Sequence, residues 1–515
     1  MAKKPHRLAA IDVGTNSIHM IIVECRGRSC RIIDKEKEMV QLGAGSLDGG
    51  PLTAEAMQRG VEALRTMAEI ARRWSVDRLE AVATSAVREA PNRRAFVRDV
   101  ERASGIQIRV ISGEAEANLI FRAVRSAVDF QGGTALCIDI GGGSVEIISG
   151  TEDEVFFTGS EPLGALRLAQ RFLKSDPPLP EEIDACRRHA RKRLKKLLPG
   201  AIGPGFDFCI GTSGTIVTLA ELAAIEAPGE AVAAGLRWIE RDALDDLAAR
   251  LASMSAKDRA EGFGLEPKRS GTIVAGAIVL SEFLRAARVQ RMRACSAALR
   301  EGMIEKLLEE ERVVPRERGG SVRRRSVVEL ADRTGVDRIH AAHVSRLALR
   351  IFDETRELHG MRAADREILE FSALLHEIGR HVSFQGYHKH TYYLIRHAGL
   401  RGFTDDQVAL LANVARYHRK AKPSEKHANF RELAPRQRKA VERATAILRL
   451  ADALDRGRKQ AIRDIGVEVD GERLLFRARP RSDATVEIDA AARQARYFAR
   501  VFGRSAEVAL ERERS

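Results

Sequence analysis

Asp139 and Glu146 bracket a glycine run in Leu136-Cys137-Ile138-Asp139-Ile140-Gly141-Gly142-Gly143-Ser144-Val145-Glu146-Ile147-Ile148. An apolar run ending in a carboxylate predicts a strand, three glycines forbid its smooth continuation, and the alternation from Ser144 to Ile148 predicts a returning strand. At such a hairpin tip backbone N–H groups can crowd onto a phosphate without Cβ interference, while Asp139 and Glu146 hold a cation against the same phosphate. The chemistry that fits is the handling of a metal-bound phosphate. Ala10 to Ile22 repeats the hairpin without a gap, matching Asp12 to Asp139, Gly14 to Gly141 and Ser17 to Ser144. Two related half-domains facing across a cleft would present two phosphate loops to one ligand.

Further candidates lie between and after the hairpins. Leu79 to Thr84 reads as a buried strand, and Arg88 follows its carboxyl end, where ligands of α/β sheets usually sit. Arg88 could reach a phosphate there or pair with Glu89 or another neighbour. Gln107 to Ile111 is another strand, after which Ser112 caps a helix carrying Glu114 and Glu116 in its first turn. Dipole stabilisation accounts for two carboxylates at a helix start. The functional alternative is a general base acting on a water that attacks phosphorus. Gly164 to Leu168 opens a helix that could return Arg167 to the cleft, and Phe208 to Ile216 gives a third strand with a glycine-flanked tip at Gly211 and Gly214, able to touch a further phosphate or a nucleoside.

These groups need two α/β halves to hold them, predicted at residues 1–130 and 131–310. Thr53 to Trp74 has helical periodicity with Thr53 as N-cap, Gly271 to Leu284 is an apolar helix, and Ala297 to Met303 belongs to a last helix closing the body. The cations of Arg187 to Leu198 read as a solvated helix face. Residues 311–326, with Pro315, Gly319-Gly320 and Arg323-Arg324-Arg325, read as an exposed basic linker. The remainder, 327–515, is helical by periodicity and holds ten of the thirteen histidines, among them His340, His343, His376, His388, His390 and His418, followed by Asp452. Histidines at this density fit a metal site, or core and surface polar groups. Val467 to Phe476 and Ala484 to Ile488 read as a small β element before a final helix.

A length of 515 residues exceeds a single core, and 44% hydrophobic with 31% charged residues is the composition of a water-soluble globular chain. No apolar run approaches bilayer length, and Lys3, Lys4 and Arg7 run straight into a strand without a signal-peptide core, which points to a cytoplasmic protein. The six cysteines show no C-x-x-C or framework spacing and read as reduced packing thiols. Residues 1–310 carry 44 Lys and Arg against 43 Asp and Glu, so nearly all of the net charge of +14 lies beyond them. A basic module on a near-neutral phosphate-handling body suggests a polyanion, nucleic acid or inorganic polyphosphate, or merely a solvated basic surface.

Together the two hairpins, Ala83-Thr84-Ser85-Ala86-Val87-Arg88, Ser112-Gly113 with Glu116, the Asp139–Glu146 run and Gly211-Thr212-Ser213-Gly214-Thr215 resemble the exopolyphosphatase and guanosine pentaphosphate phosphatase family over residues 8 to about 310. The resemblance implies duplicated ribonuclease-H-like halves, as in actin and the sugar kinases, and a C-terminal part similar to the HD-type helical domain of long members. It implies Mg²⁺-dependent removal of terminal phosphate from polyphosphate, or of the 5′ γ-phosphate from guanosine pentaphosphate, by a homodimer. Carried over by position, Glu116 is the catalytic base, Asp139 and Glu146 are the metal carboxylates, Gly141, Gly142, Gly143 and Ser144 form the phosphate loop, and Asn16, Ser17 and Arg88 are phosphate contacts; Gly214, at the third strand's tip, is a further candidate substrate contact on the reading of that tip alone. The chain departs from the family in having Ala115-Glu116-Ala117-Asn118 where members often have Glu-Glu-Ala-Arg. It also has Glu377 after His376 where an HD-type site has Asp, which speaks against independent metal hydrolysis there and for polyanion binding or dimerisation. A non-catalytic polyphosphate or RNA regulator is the alternative from another class, and a sugar- or acetate-kinase activity fits less well.

Overall fold

The computed structural model describes residues 5–26, 29–47, 49–226, 236–311 and 321–511, and the chain divides into two units, residues 1–319 and 320–515. In the first unit, β1 (His6–Val13), β2 (Ile18–Arg26), β3 (Ser29–Glu38), β4 (Arg78–Ala83) and β5 (Ile108–Val110) form a sheet of order β3-β2-β1-β4-β5. The second sheet contains β6 (Ala135–Ile140), β7 (Val145–Gly150), β8 (Val155–Glu161), β9 (Phe208–Thr212), β10 (Leu236–Glu240) and β11 (Arg291–Cys295) in the order β10-β11-β9-β6-β7-β8. Read from β8, it repeats the first sheet: two antiparallel pairings, then two parallel ones, with β10 added at the edge. This is the duplicated α/β architecture anticipated from the repeated hairpin.

The central strands are apolar on both faces because both faces are covered. Ala9, Ile11 and Val13 of β1 enter a core with Leu64, Met67 and Phe96. Leu8 and Ala10 enter another, where they meet Ala135 and Cys137 of β6. That second core joins the halves. Helices Gly113–Ala127 and Leu299–Glu310 contribute Ile120, Phe121, Met303 and Leu307 to it. The two helices cross so closely that a Cβ on Gly302 would lie 1.8 Å from the Leu119 carbonyl oxygen. Leu299–Glu310, the last helix of the body, packs on the first half, against helix Gly113–Ala127 and strands β1 and β2. Thr53 and Ser112 cap as expected, accepting from Ala56 N at 3.2 Å and Ala115 N at 3.1 Å. On helix Pro180–Ile202, Cys186, Ala190, Leu194 and Leu198 are buried at helical spacing, so most of its cations are turned outward.

The thiol reading needs one correction. Cys25 and Cys30 form a disulfide across the β2–β3 pair, and only Cys137, Cys186, Cys209 and Cys295 are free, all four buried. Spacing could not show this, because the pairing arises from strand register, which sets Cys25 opposite Cys30 with Cα atoms 4.1 Å apart.

The second unit is mainly helical, as expected. Its helices Arg338–Glu354, Ala363–Leu375, Asp405–Arg416 and Pro435–Ala453 surround an apolar interior including Val344, Leu347, Ile447 and Leu450, while helix Val322–Arg333 puts Val327 and Leu330 into a second cluster with Phe371 and Leu411. The helix Val322–Arg333 begins inside the stretch read as linker, capped by Ser321, and residues 312–320 lie outside the described residues. Arg323 is buried rather than solvated: its Nε donates to the Gly402 carbonyl at 2.9 Å and its Nη1 to Glu367 at 2.6 Å. A three-stranded sheet, β12 (Ile462–Asp470), β13 (Arg473–Pro480) and β14 (Ser505–Leu510), stands near the end. Residues 485–488, expected as strand, belong to helix Thr485–Phe502. The β-branched residues misled because Asp483 accepts from Thr485 N and starts the helix, while Ala490, Ala491 and Ala495 bury one helical face.

Candidate active site

Both hairpin tips are built alike: Gly14 N donates to Ser17 O at 3.1 Å, and Gly141 N donates to Ser144 O at 3.0 Å. In each tip the carbonyls are captured from behind. Thr15 O and Asn16 O accept from Gly43 N (3.0 Å) and Gln41 N (2.8 Å). In the second tip Gly141 O accepts from Ala165 N at 2.9 Å and Gly142 O from Leu166 N at 3.0 Å, while Arg167 Nε holds Gly143 O at 2.8 Å. With carbonyls turned into the body, the amides of Thr15, Asn16, Ser17, Gly142, Gly143 and Ser144 have no acceptor among the described residues. Consecutive free amides at a tight turn form an anion nest. The two nests adjoin, since a Cβ on Gly143 would lie 2.5 Å from Ser85 Oγ and 2.7 Å from Thr15 Oγ1.

Carboxylates gather beside them. Strand register places Asp139 opposite Glu146, so both side chains leave the same face of the sheet. Asp12 occupies the equivalent place in β1, and Glu116 stands in the first turn of helix Gly113–Ala127. Burial, then the charges of Glu116 and Asp12, raises Asp139 to about 8, while burial and Glu116 raise Asp12 to about 7. Glu146, fully buried, is pushed up by desolvation and by Glu116 and Asp139, although Ser160 Oγ donates to its Oε1 at 2.8 Å. Burial also raises Glu116, against the opposing pull of Arg88. Asp12 Oδ1, Asn16 Oδ1 and Glu146 Oε2 are buried without a partner. Four carboxylates that repel one another, with unpartnered oxygens beside an anion nest, fit a hard cation that accepts oxygen donors and keeps several waters.

Cations line the rest of the cleft. Arg88 lies on Glu116 rather than standing free: its Nη1 donates to Glu116 Oε2 at 2.9 Å and to Ile111 O at 3.1 Å. Arg167 reaches the cleft as expected, but as a brace: besides Gly143 O it binds both Glu89 oxygens, at 2.8 and 2.7 Å, joining the second loop to the first half. Gly214 does not stand open, because Arg269 donates to its carbonyl oxygen and to Thr218 Oγ1. His19 fills in the first hairpin the place of Glu146 in the second. Burial, then Arg300, Lys37 and Arg269, depresses His19 to about 3, so it is neutral at working pH. Arg300 Nη1 donates to His19 Nδ1 at 2.9 Å, which leaves the proton on Nε2, 2.7 Å from Ser17 Oγ. Ser17 therefore accepts from His19 and keeps its own hydroxyl hydrogen to donate.

The structure thus brings together Asn16, Ser17, Arg88, Glu116, Asp139, Gly141 to Ser144 and Glu146. Sequence reasoning missed Asp12 as a fourth carboxylate, and His19, Arg269 and Arg300. Asp12 and His19 were open to discovery, since the ungapped repeat pairs them with Asp139 and Glu146. Arg300 carried no such sign, because only tertiary packing brings it to His19.

Comparisons with known proteins bear on the fold and the family. The chain resembles the crystal structure of an exopolyphosphatase from Cytophaga hutchinsonii, with 28% identity and a TM-score of 0.56 over 60% of this chain and 100% of that one. It also resembles the Aquifex aeolicus member of the Ppx/GppA protein family, with 26% identity and a TM-score of 0.51 over 60% of this chain and 99% of that one. Both share the actin-like α/β fold of the first unit. A model of the Ppx/GppA phosphatase family matches residues 21–311, and a model of Ppx/GppA phosphatase domain III matches residues 322–475. With more than half of its length matched by the first model alone, the chain belongs to the Ppx/GppA phosphatase family.

Proposed function

We propose that the cleft of the first unit is an exopolyphosphatase site that hydrolyses the terminal phosphate of inorganic polyphosphate with Mg²⁺. The supporting observation is the pairing of two carbonyl-captured amide nests with Asp12, Glu116, Asp139 and Glu146. A terminal phosphoryl group reacts through a loose transition state, so the site must mainly neutralise oxygen charge and align a water. The amides of both loops and the Ser17 hydroxyl receive the terminal phosphate oxygens. Arg88, using Nη1 on Glu116, presents its remaining N–H edge to the phosphate.

Asp139 and Glu146, with Asp12 beside them, would hold Mg²⁺, which when bound neutralises charge on the phosphate oxygens. Glu116 takes a proton from water as the water oxygen attacks phosphorus, and the bond to the bridging oxygen breaks. The shortened chain leaves as an anionic phosphate that needs no proton, and Glu116 returns its proton to solvent. Burial raises the proton affinity of this base, and the charge and hydrogen bond of Arg88 oppose that rise.

Guanosine pentaphosphate offers the same terminal anhydride, and the excess positive charge beyond residue 310 favours the longer polyanion. Purified protein given both substrates in competition should release phosphate faster from long polyphosphate. Faster release from guanosine pentaphosphate would reassign the substrate, and release from neither would remove the activity.

A further inference from the structure

Helix Gly113–Ala127 carries Glu116 on one side and Asn118, Arg122 and Arg125 on another. At about 100° per residue these three stand roughly 180–240° around the axis from Glu116, on the side away from the cleft. With Leu119, Val155 at the start of β8 and Lys306 on helix Leu299–Glu310 they line a cavity of about 160 Å³. That is ample for several water-sized groups, yet short of the roughly 300–1,000 Å³ of sites that take larger organic ligands. Its occupant is therefore an ion or group of a few heavy atoms.

The walls are chemically one-sided. Three cations and the Asn118 amide line the cavity beside two aliphatic side chains, and among the described residues no carboxylate does. The acidic partners stand outside the lining: Glu309 holds Arg122 Nη1, and Lys306 Nζ lies 3.0 Å from Glu310 and 3.4 Å from Glu80. Arg122 uses one nitrogen in that pair, which leaves Nε and Nη2 to donate. Arg125 Nε donates to Thr151 O at 3.0 Å, and its guanidinium lies 4.6 Å from the centre of the Phe121 ring, so its direction is fixed. Asn118 Nδ2 donates to Glu114 O at 2.9 Å and has a second hydrogen to offer.

We propose that this cavity binds a small phosphate oxyanion, orthophosphate or diphosphate, through Arg122, Arg125 and Lys306. Guanidinium groups pair with phosphate oxygens at two points, and an ammonium adds a compact charge. Side chains already steadied by their neighbours lose less rotamer freedom when the anion arrives. Glu80, Glu309 and Glu310 offset part of the positive charge from behind, so the anion is held reversibly. Bound there, it ties helix Gly113–Ala127 to helix Leu299–Glu310 where the two already cross, at Leu119 and Gly302. The site is distinct from the amide nests and does not depend on the reaction proposed for the cleft.

The probe is radiolabelled orthophosphate, measured by equilibrium dialysis on the full-length protein in chelator, with unlabelled diphosphate as competitor in a second arm. Arg122→Met removes a donor and Asn118→Asp adds a repelling carboxylate. Each should weaken this site roughly tenfold or more, the scale of one charge-assisted hydrogen bond. Arg188→Met, which removes an exposed cation from helix Pro180–Ile202, should leave binding unchanged. Label held in the cleft is common to all four proteins and cancels in the comparison. Displacement by diphosphate assigns the larger anion, and failure to displace assigns orthophosphate. Should Arg122→Met fail to fold by far-UV circular dichroism, Asn118→Asp, at an exposed position, decides. No label retained by the wild type, undiminished binding in the folded variants, or an equal loss in Arg188→Met would overturn the proposal.

Discussion

Glu116→Gln separates the chemistry of the cleft from its stability. The substitution keeps shape and an acceptor for Arg88 Nη1, now 2.9 Å from Glu116 Oε2, but removes the proton acceptor for water. General-base catalysis contributes roughly 10²–10⁴-fold, about 3–5 kcal/mol of barrier, and phosphate release should fall by that factor with little change in polyphosphate affinity. The same change removes the charge that heads the electrostatic causes raising Asp139, Glu146 and Asp12. Two carboxylates 4 Å apart at an effective dielectric near 20 repel by about 4 kcal/mol. Removing one of four charges should therefore stabilise the metal-free protein at pH 8 by on the order of 1–3 kcal/mol. Phosphate release, equilibrium binding to polyphosphate and urea unfolding in chelator read the three quantities. Unchanged turnover, or a variant that is both less stable and unable to bind polyphosphate, would refute the reasoning.

Other expectations follow from the same geometry. Gly143→Ala would set its Cβ 2.5 Å from Ser85 Oγ and 2.7 Å from Thr15 Oγ1; overpacking of this kind costs about 1–3 kcal/mol, and KM for polyphosphate should rise as the nests part. Arg167→Ala leaves Gly143 O and Glu89 without their brace; a buried acceptor left unmade costs about 1–3 kcal/mol, visible in urea unfolding, and Arg167→Lys should restore only part. Asp12 and Asp139 stand at about 7 and 8 in the fold against an ordinary 3.8, so the folded state binds more protons between those values. Metal-free stability should accordingly fall as pH rises from about 4 to about 8. Asp139→Asn should flatten that slope, and added Mg²⁺ should move the acid limb of the rate profile to lower pH by competing with protons.

Where sequence succeeded, a local rule and a global one coincided. The Asp-x-Gly hairpin is written twice because two half-domains each need an apolar central strand ending at a ligand, and both sheet order and tip geometry follow from it. Glu116 was legible because Ser112 capping fixes where its helix starts, and with it the direction of the side chain. The brace from Arg167 to Glu89, the His19–Arg300 contact and Arg269 on Gly214 were not legible, because each spans distant segments and depends on how the halves dock. Cys25–Cys30 depended on register, and Arg323, one of three consecutive arginines, is buried only because Gly402 and Glu367 accept from it. Composition carries no trace of either.

Hydrolysis of long polyphosphate in heavy-oxygen-labelled water reports where the water attacks. If Glu116 delivers it to the outermost phosphorus, each released orthophosphate carries one labelled oxygen and the shortened chain carries none. Label in the new chain end, or no orthophosphate at all with Mg²⁺ present, would contradict the account.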